Sequence, residues 1–160
     1  MNVRSCAPLV ASIWLTVFLA GVGVAAGSGK CSFVSVSGPA FGTYDVFAPA
    51  PLDSTGTIGF QCNPGTGNGN VEVSLSAGSS GSFVSRAMRS GSDTLSYNLF
   101  LDPAKTQIWG DGTGGSSTFT ASLAGGGWTS VAATIYGRVP PGQNVAAGTY
   151  LDTITVTMNW

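Results

Sequence analysis

The chain has 160 residues, only 8% of them charged, with six Lys and Arg against seven Asp and Glu and no His at all. Cations so few and so scattered form no patch that could track phosphates, which excludes nucleic-acid binding; without His, the usual base of Ser-His-acid hydrolysis and the commonest zinc ligand are missing. Low charge combined with abundant Thr, Val, Ser and Gly describes a sheet protein whose surface is hydroxyl-rich rather than ionic.

The first element is a leader. Met1 to Arg4 is short and positively charged, Leu9 to Ala20 is an apolar run, and Val24-Ala25-Ala26 places small residues before a cut. This layout predicts a secretory signal peptide over 1–26, cleaved after Ala26, and the run is short for a retained membrane anchor. The product, 27–160, is one domain's worth of chain with no expected membrane span. Cys6 leaves with the leader, so Cys31 and Cys62 remain, and an exported chain with two cysteines is expected to join them. The loop closed would be about thirty residues long, worth about 3 to 4 kcal/mol in the chain-entropy model.

Cys31 to Val36 reads as a strand ended by Ser37-Gly38-Pro39, and Phe41 to Phe47 as a second before the Pro49 and Pro51 break. In Thr57 to Cys62, Ile58, Phe60 and Cys62 share one parity, so Cys62 is expected on the core face, where a bridge to the first strand would sit. Asn63 to Asn70 is a turn-rich loop. Val71, Val73 and Leu75 alternate with polar residues; Gly78 to Asp93 reads as a loop with a short edge strand; Leu95, Tyr97, Leu99 and Leu101 alternate again. After a brief Gln107-Ile108-Trp109 segment and the Gly110-Asp111-Gly112 turn come strands at Thr118 to Leu123 and Val131 to Val139. The last strand is the clearest: Tyr150, Ile154, Val156, Met158 and Trp160 lie on one parity, with Thr153, Thr155, Thr157 and Asn159 on the other. No segment after the leader has a helical period. Short strands at short intervals describe a sandwich or barrel, and a sheet whose best strand comes last has either paired it internally or left an edge for another chain. The second option is expected here.

At this point the residues resemble the spore coat protein U domain family, found in subunits of archaic chaperone–usher pili and in some bacterial spore coats. The resemblance rests on an ordered set: Cys31, Phe41-Gly42-Thr43-Tyr44-Asp45, Cys62, Arg86, Leu95-Ser96-Tyr97-Asn98-Leu99, Trp109-Gly110-Asp111, Ile135-Tyr136-Gly137-Arg138 and Gly148-Thr149-Tyr150-Leu151-Asp152-Thr153. It implies an all-β, immunoglobulin-like sandwich that is incomplete, lacking its final strand. A periplasmic chaperone would fill the gap first and a neighbouring subunit would then replace it, by donor-strand complementation during export through an outer-membrane usher to a surface fibre. Phe33, Ile154, Val156, Met158 and Trp160 would line the groove, each worth about 1.5 to 3 kcal/mol when covered. One departure stands out. Gly27-Ser28-Gly29-Lys30 is too short, and lacks the apolar alternation, to serve as a donor strand, so the processed chain would accept a strand but give none, as a tip or terminal subunit would, or a subunit of a non-linear coat.

Other chemistries find little support. Asp45, Asp102, Asp111 and Asp152 lack calcium-loop spacing, and Asp102 before Pro103 and Asp111 between glycines are turn positions. The Gly125-Gly126-Gly127 run precedes no helix, so a phosphate cradle is not expected. Arg86 and Arg138 are expected in ion pairs at strand edges. Trp109 is expected buried; Trp128, flanked by glycine, is the candidate for an exposed surface contact. A structural assembly subunit without catalytic, metal or cofactor residues therefore leads, ahead of a stand-alone secreted carbohydrate-binding or adhesive domain and a carboxylate hydrolase.

Overall fold

In the computed structural model the described residues are 10–19, 31–63, 69–123 and 127–160, the first of these segments as backbone only. The charged start of the leader, the cut after Ala26, Gly27 to Lys30, most of the Asn63 to Asn70 loop and the pair Gly125-Gly126 lie outside them. The strands are β1 (Val10–Leu19), β2 (Cys31–Ser37), β3 (Gly42–Asp45), β4 (Leu52–Cys62), β5 (Gly69–Leu75), β6 (Arg86–Ser90), β7 (Asp93–Phe100), β8 (Phe119–Leu123), β9 (Thr129–Val139) and β10 (Thr149–Asn159). The only helical turn among the described residues is a 3-10 turn over Gly78–Ser80.

The fold is an immunoglobulin-like β-sandwich. One layer runs β2-β4-β9-β7 and the other β7-β6-β10-β1-β3, with β5 and β8 continuing outward from β10. Strand β7 belongs to both: its first half pairs with β6, while Asn98 to Phe100 pair with β9. The alternating patterns read from the sequence face inward as expected. Ile58, Phe60 and Cys62, Val71, Val73 and Leu75, and Leu95, Tyr97 and Leu99 are all buried.

Strand β4 begins five residues earlier than the pattern suggests, and its whole length pairs with β9, from Leu52 opposite Val139 to Cys62 opposite Thr129. Its first half carries little apolar alternation, and Gly56 sits where any Cβ would meet the backbone of Ser37, Gly38 and Pro39. Backbone proximity and the ladder with β9, not a hydrophobic face, define that half-strand. Cys31 and Cys62 lie directly opposite each other on β2 and β4 and are joined by a disulfide.

Arg86 is not at a strand edge. It is fully buried, and its guanidinium donates to the carbonyls of Ser76 (3.2 and 2.9 Å) and Trp109 (2.7 Å) and to Asn98 Oδ1 (2.8 Å). Nor is β6 an edge strand, since it pairs with β7 and meets β10 at Leu151 opposite Arg89. The glycine- and serine-rich 76–83 loop folds inward over this cation: its carbonyls need donors, and a planar five-donor group fits several at once. Burial holds the Arg86 pKa below its ordinary value, offset by nearby Tyr97 and Asp152. Arg138, by contrast, does make the expected ion pair, with two bonds to Asp53 (2.7 and 2.8 Å).

Candidate strand-accepting site

Strand β10 organises the layer it belongs to. On one parity Tyr150, Asp152, Ile154, Val156 and Met158 are buried, while Leu151 on the other is 43% exposed. One edge of β10 is shared by two strands, β6 at Leu151 and β5 from Val156 opposite Leu75 to Asn159 opposite Glu72. Between them Ser76 bridges the change of partner: its amide donates to Thr155 O (2.9 Å) and its hydroxyl accepts from the Thr155 amide (2.9 Å).

The other edge faces a slot one strand wide, with β3 as its far wall. The sequence reading leaves this edge for another chain; in the structure Val10–Leu19 occupies it. Strand β1 runs parallel to β10 over eight residue pairs, from Ser12 opposite Thr149 to Leu19 opposite Val156. Its first half also pairs with β3, from Val10 opposite Asp45 to Ile13 opposite Gly42. The signal was present but hidden in composition. Ala11, Ile13, Leu15, Val17 and Leu19 make one parity wholly apolar, but the other mixes Val10, Trp14 and Phe18 with Ser12 and Thr16, so only two hydroxyl residues mark a face in an otherwise apolar run.

Of the residues expected to line the groove, Ile154 and Val156 fall within the β1 register and are buried. Met158 is buried too, but it lies past the end of β1, opposite Val73 of β5. Phe33 is half-buried on β2, opposite Phe60 in the other layer, and is not a strand neighbour of β10. Trp160 follows the last strand residue and is 42% exposed. Sequence reasoning missed Tyr150 and Asp152 as slot positions, and β3 as the second wall.

Asp152 brings charge under the slot. Its carboxylate accepts from Tyr97 Oη (2.6 Å), the Ser79 amide (2.9 Å) and the Thr153 amide (2.8 Å). Burial, together with the Asp152 charge, pushes the Tyr97 phenol far above its ordinary pKa, so it stays a donor. Gly78, at φ +70°, places its backbone against that carboxylate where no side chain would fit.

The other three candidate carboxylates serve turns. Asp45 accepts from the Phe47 amide, Asp102 from Thr106 and Gln107, and Asp111 from Thr113; these bonds hold the Asp102 and Asp111 pKa values below the usual carboxylate range, through Gln107 and Thr113 above all. No cluster of three potential metal ligands occurs among the described residues. Trp109 is fully buried with its indole N–H on Val73 O (2.9 Å), and Trp128 is 68% exposed.

Comparison with known proteins gives a family and a fold for the chain. A family model described as the Spore Coat Protein U domain matches residues 17–157, beginning inside β1. Protein U of Myxococcus xanthus is 33% identical over 148 residues, covering 82% of this chain and 78% of that protein. In fold, the chain is similar, with a TM-score of 0.51 and 23% identity, to a chain in the crystal structure of the CsuC–CsuE chaperone–tip adhesion subunit pre-assembly complex, from the archaic chaperone-usher Csu pili of Acinetobacter baumannii. That match covers 82% of this chain and 40% of the other.

Proposed function

The chain belongs to the Spore Coat Protein U domain family, and from that premise we propose that it is a non-enzymatic structural subunit of a bacterial surface assembly, a pilus or a coat. The slot between β10 and β3 is its assembly site. Once 1–26 is removed, a strand from another molecule completes the layer, first from a periplasmic chaperone and then from a neighbouring subunit delivered by an outer-membrane usher.

One observation carries this reading: the strand that seals β10 comes from the segment whose sequence is that of a cleaved leader. Without it, the β10 ladder from Thr149 to Val156 is unpaired and Tyr150, Ile154 and Val156 stand beside an open sheet edge, each worth up to about 3 kcal/mol where covered. An uncovered apolar slot with a free ladder beside it drives strand addition by any available chain. Gly27 to Lys30 offers no strand in return, which supports a terminal or tip position, or a coat that is not a linear fibre.

The test is expression of the processed chain with and without the chaperone of a chaperone–usher system. The expected result is a soluble one-to-one complex with the chaperone and aggregation or strand-exchanged oligomers without it. A processed chain that stays a stable monomer alone and takes up no apolar peptide sinks the reading. Exposed Trp128 favours a second possibility, a stand-alone carbohydrate-binding or adhesive domain; it requires that stable monomer, with a tryptophan fluorescence that responds to glycans and loses the response in Trp128→Ala.

A further inference from the structure

We propose that Tyr44 is the positioning residue that keeps the assembly slot open at the width of one strand: its phenol ties the far wall, β3, to the 140–148 loop that leads into the near wall, β10. This deepens the accepting-subunit reading and rests on it.

Among the described residues, β3 pairs only with the strand in the slot, from Gly42 to Asp45. Once 1–26 is removed, no neighbouring strand holds its four residues in place. An incoming strand nevertheless needs them there. Thr43 and Thr149 stand level across the slot, both opposite the one residue Ser12, and a strand bonded along both edges requires its two neighbours about 9 to 10 Å apart. The contacts that fix β3 lead to the facing layer. Just ahead of it the Ala40 carbonyl accepts from Ser54 Oγ of β4 (2.8 Å). Phe41 lies against Gly137 of β9, where any Cβ would meet its ring, and edge-on to Tyr97 at 6.2 Å. These hold the start of the strand, and Tyr44 holds its outer half.

Tyr44 is 2% exposed, and its hydroxyl makes two bonds at once. It donates to Pro140 O (3.0 Å), just past the end of β9, and accepts from the Gln143 amide (2.9 Å). The same loop is fastened to the near wall, where Tyr150 of β10 donates to Ala146 O (2.9 Å). It is fastened to β7 as well, where the Gln143 side chain accepts from the Ser96 amide (2.7 Å) and donates to the Ser96 carbonyl (2.9 Å). The 140–148 loop is thus a bracket between the two walls, and the Tyr44 phenol is its attachment to β3. A wall fixed in advance spares the incoming strand the cost of ordering it, which is what preorganisation contributes to binding. Phenylalanine at this position would fill nearly the same core volume and offer neither bond.

The experiment uses the exported chain, produced from the full coding sequence, unfolded in urea with its disulfide intact and refolded in an excess of a fluorescent peptide of about ten residues alternating Val and Thr. After the excess is removed, release of the label into unlabelled peptide is timed. Tyr44→Phe should release it about tenfold faster than the parent, two hydrogen bonds having been lost from the wall. Cys31→Ser with Cys62→Ser is the reference: it lowers stability in the layer without β10 and should leave release unchanged. Release from Tyr44→Phe at the parent's rate overturns the assignment and leaves the strand-accepting reading standing. Release that quickens in both variants in proportion to their lost stability overturns it too, since Tyr44 would then be one more core residue. A parent chain that retains no peptide sinks the strand-accepting reading, and the wall anchor falls with it.

Discussion

The two edges of β10 are sealed in different ways. On the β5 and β6 side the register is broken in the middle, and side chains repair the break: Ser76 bonds Thr155 twice, Arg86 holds the Ser76 carbonyl, and Asp152 takes the Ser79 amide. On the β1 side the register runs unbroken for eight pairs. The difference teaches which edge can be exchanged. Bonds to named side chains demand particular donors at particular places, whereas a backbone ladder accepts any strand with the right alternation. The first edge is therefore fixed and the second replaceable.

The largest expected effect comes from taking the replaceable edge away. A chain beginning at Gly27 should be less stable than the full chain by most of a domain's free energy, on the order of 5 kcal/mol, read from urea midpoints or, if it does not stay soluble, from the yield in the supernatant. A full and a truncated chain with matching midpoints would mean that β1 contributes nothing.

Next comes the fixed edge. Arg86→Ala strands the carbonyls of Ser76 and Trp109 and leaves the Asn98 amide oxygen with only the Leu99 amide, and about 3 to 5 kcal/mol should go with them. Arg86→Lys should recover only part of this, because one ammonium cannot reach the positions that the planar guanidinium serves. A Lys variant as stable as the parent would show that charge, not the fork of donors, matters there.

Reduction of the Cys31–Cys62 bridge, or its replacement by Cys31→Ser with Cys62→Ser, should lower stability by about 3 to 4 kcal/mol. Since the bridge joins β2 to β4, in the layer that does not contain β10, peptide uptake by the processed chain should be unchanged. Coupling between the two would weaken the separation drawn here.

The smallest effect concerns Asp53. Arg138 first, with Lys105 second, holds its carboxyl at about 2 rather than 3.8. A folded value depressed in this way contributes stability that is fully present above about pH 4 and is lost as pH falls toward 2. Both side chains of the Arg138 pair remain more than a third exposed, so solvent screening reduces the contribution to about 0.5 kcal/mol. In Asp53→Asn the acid limb of the stability profile between pH 4 and pH 2 should flatten by that amount, with little change at pH 7.

Much of the sandwich was legible because its strands carry one apolar and one hydroxyl face. Val71, Val73 and Leu75 declared themselves, as did Leu95, Tyr97 and Leu99, and Ile154, Val156 and Met158. What escaped has a common physical cause: position decided by partners rather than by local pattern. The first half of β4 is a strand because β9 runs beside it, and Arg86 is interior because the 76–83 backbone offers it carbonyls. The slot was half legible. Its β10 wall follows from parity, while Phe33 stands on β2 in the facing layer, and the occupant went unread since a run apolar on nearly every residue shows no strand period.

The bridge between Cys31 and Cys62 ties the very first residue of β2 to the last residue of β4. Tension applied to the chain ahead of Cys31 therefore passes through sulfur into β4, which is held on both sides by β2 and β9. The outer strand cannot be unzipped from its leading end, because the pull bypasses it. A pull from that direction must instead slide β4 along its neighbours, loading many bonds in shear together.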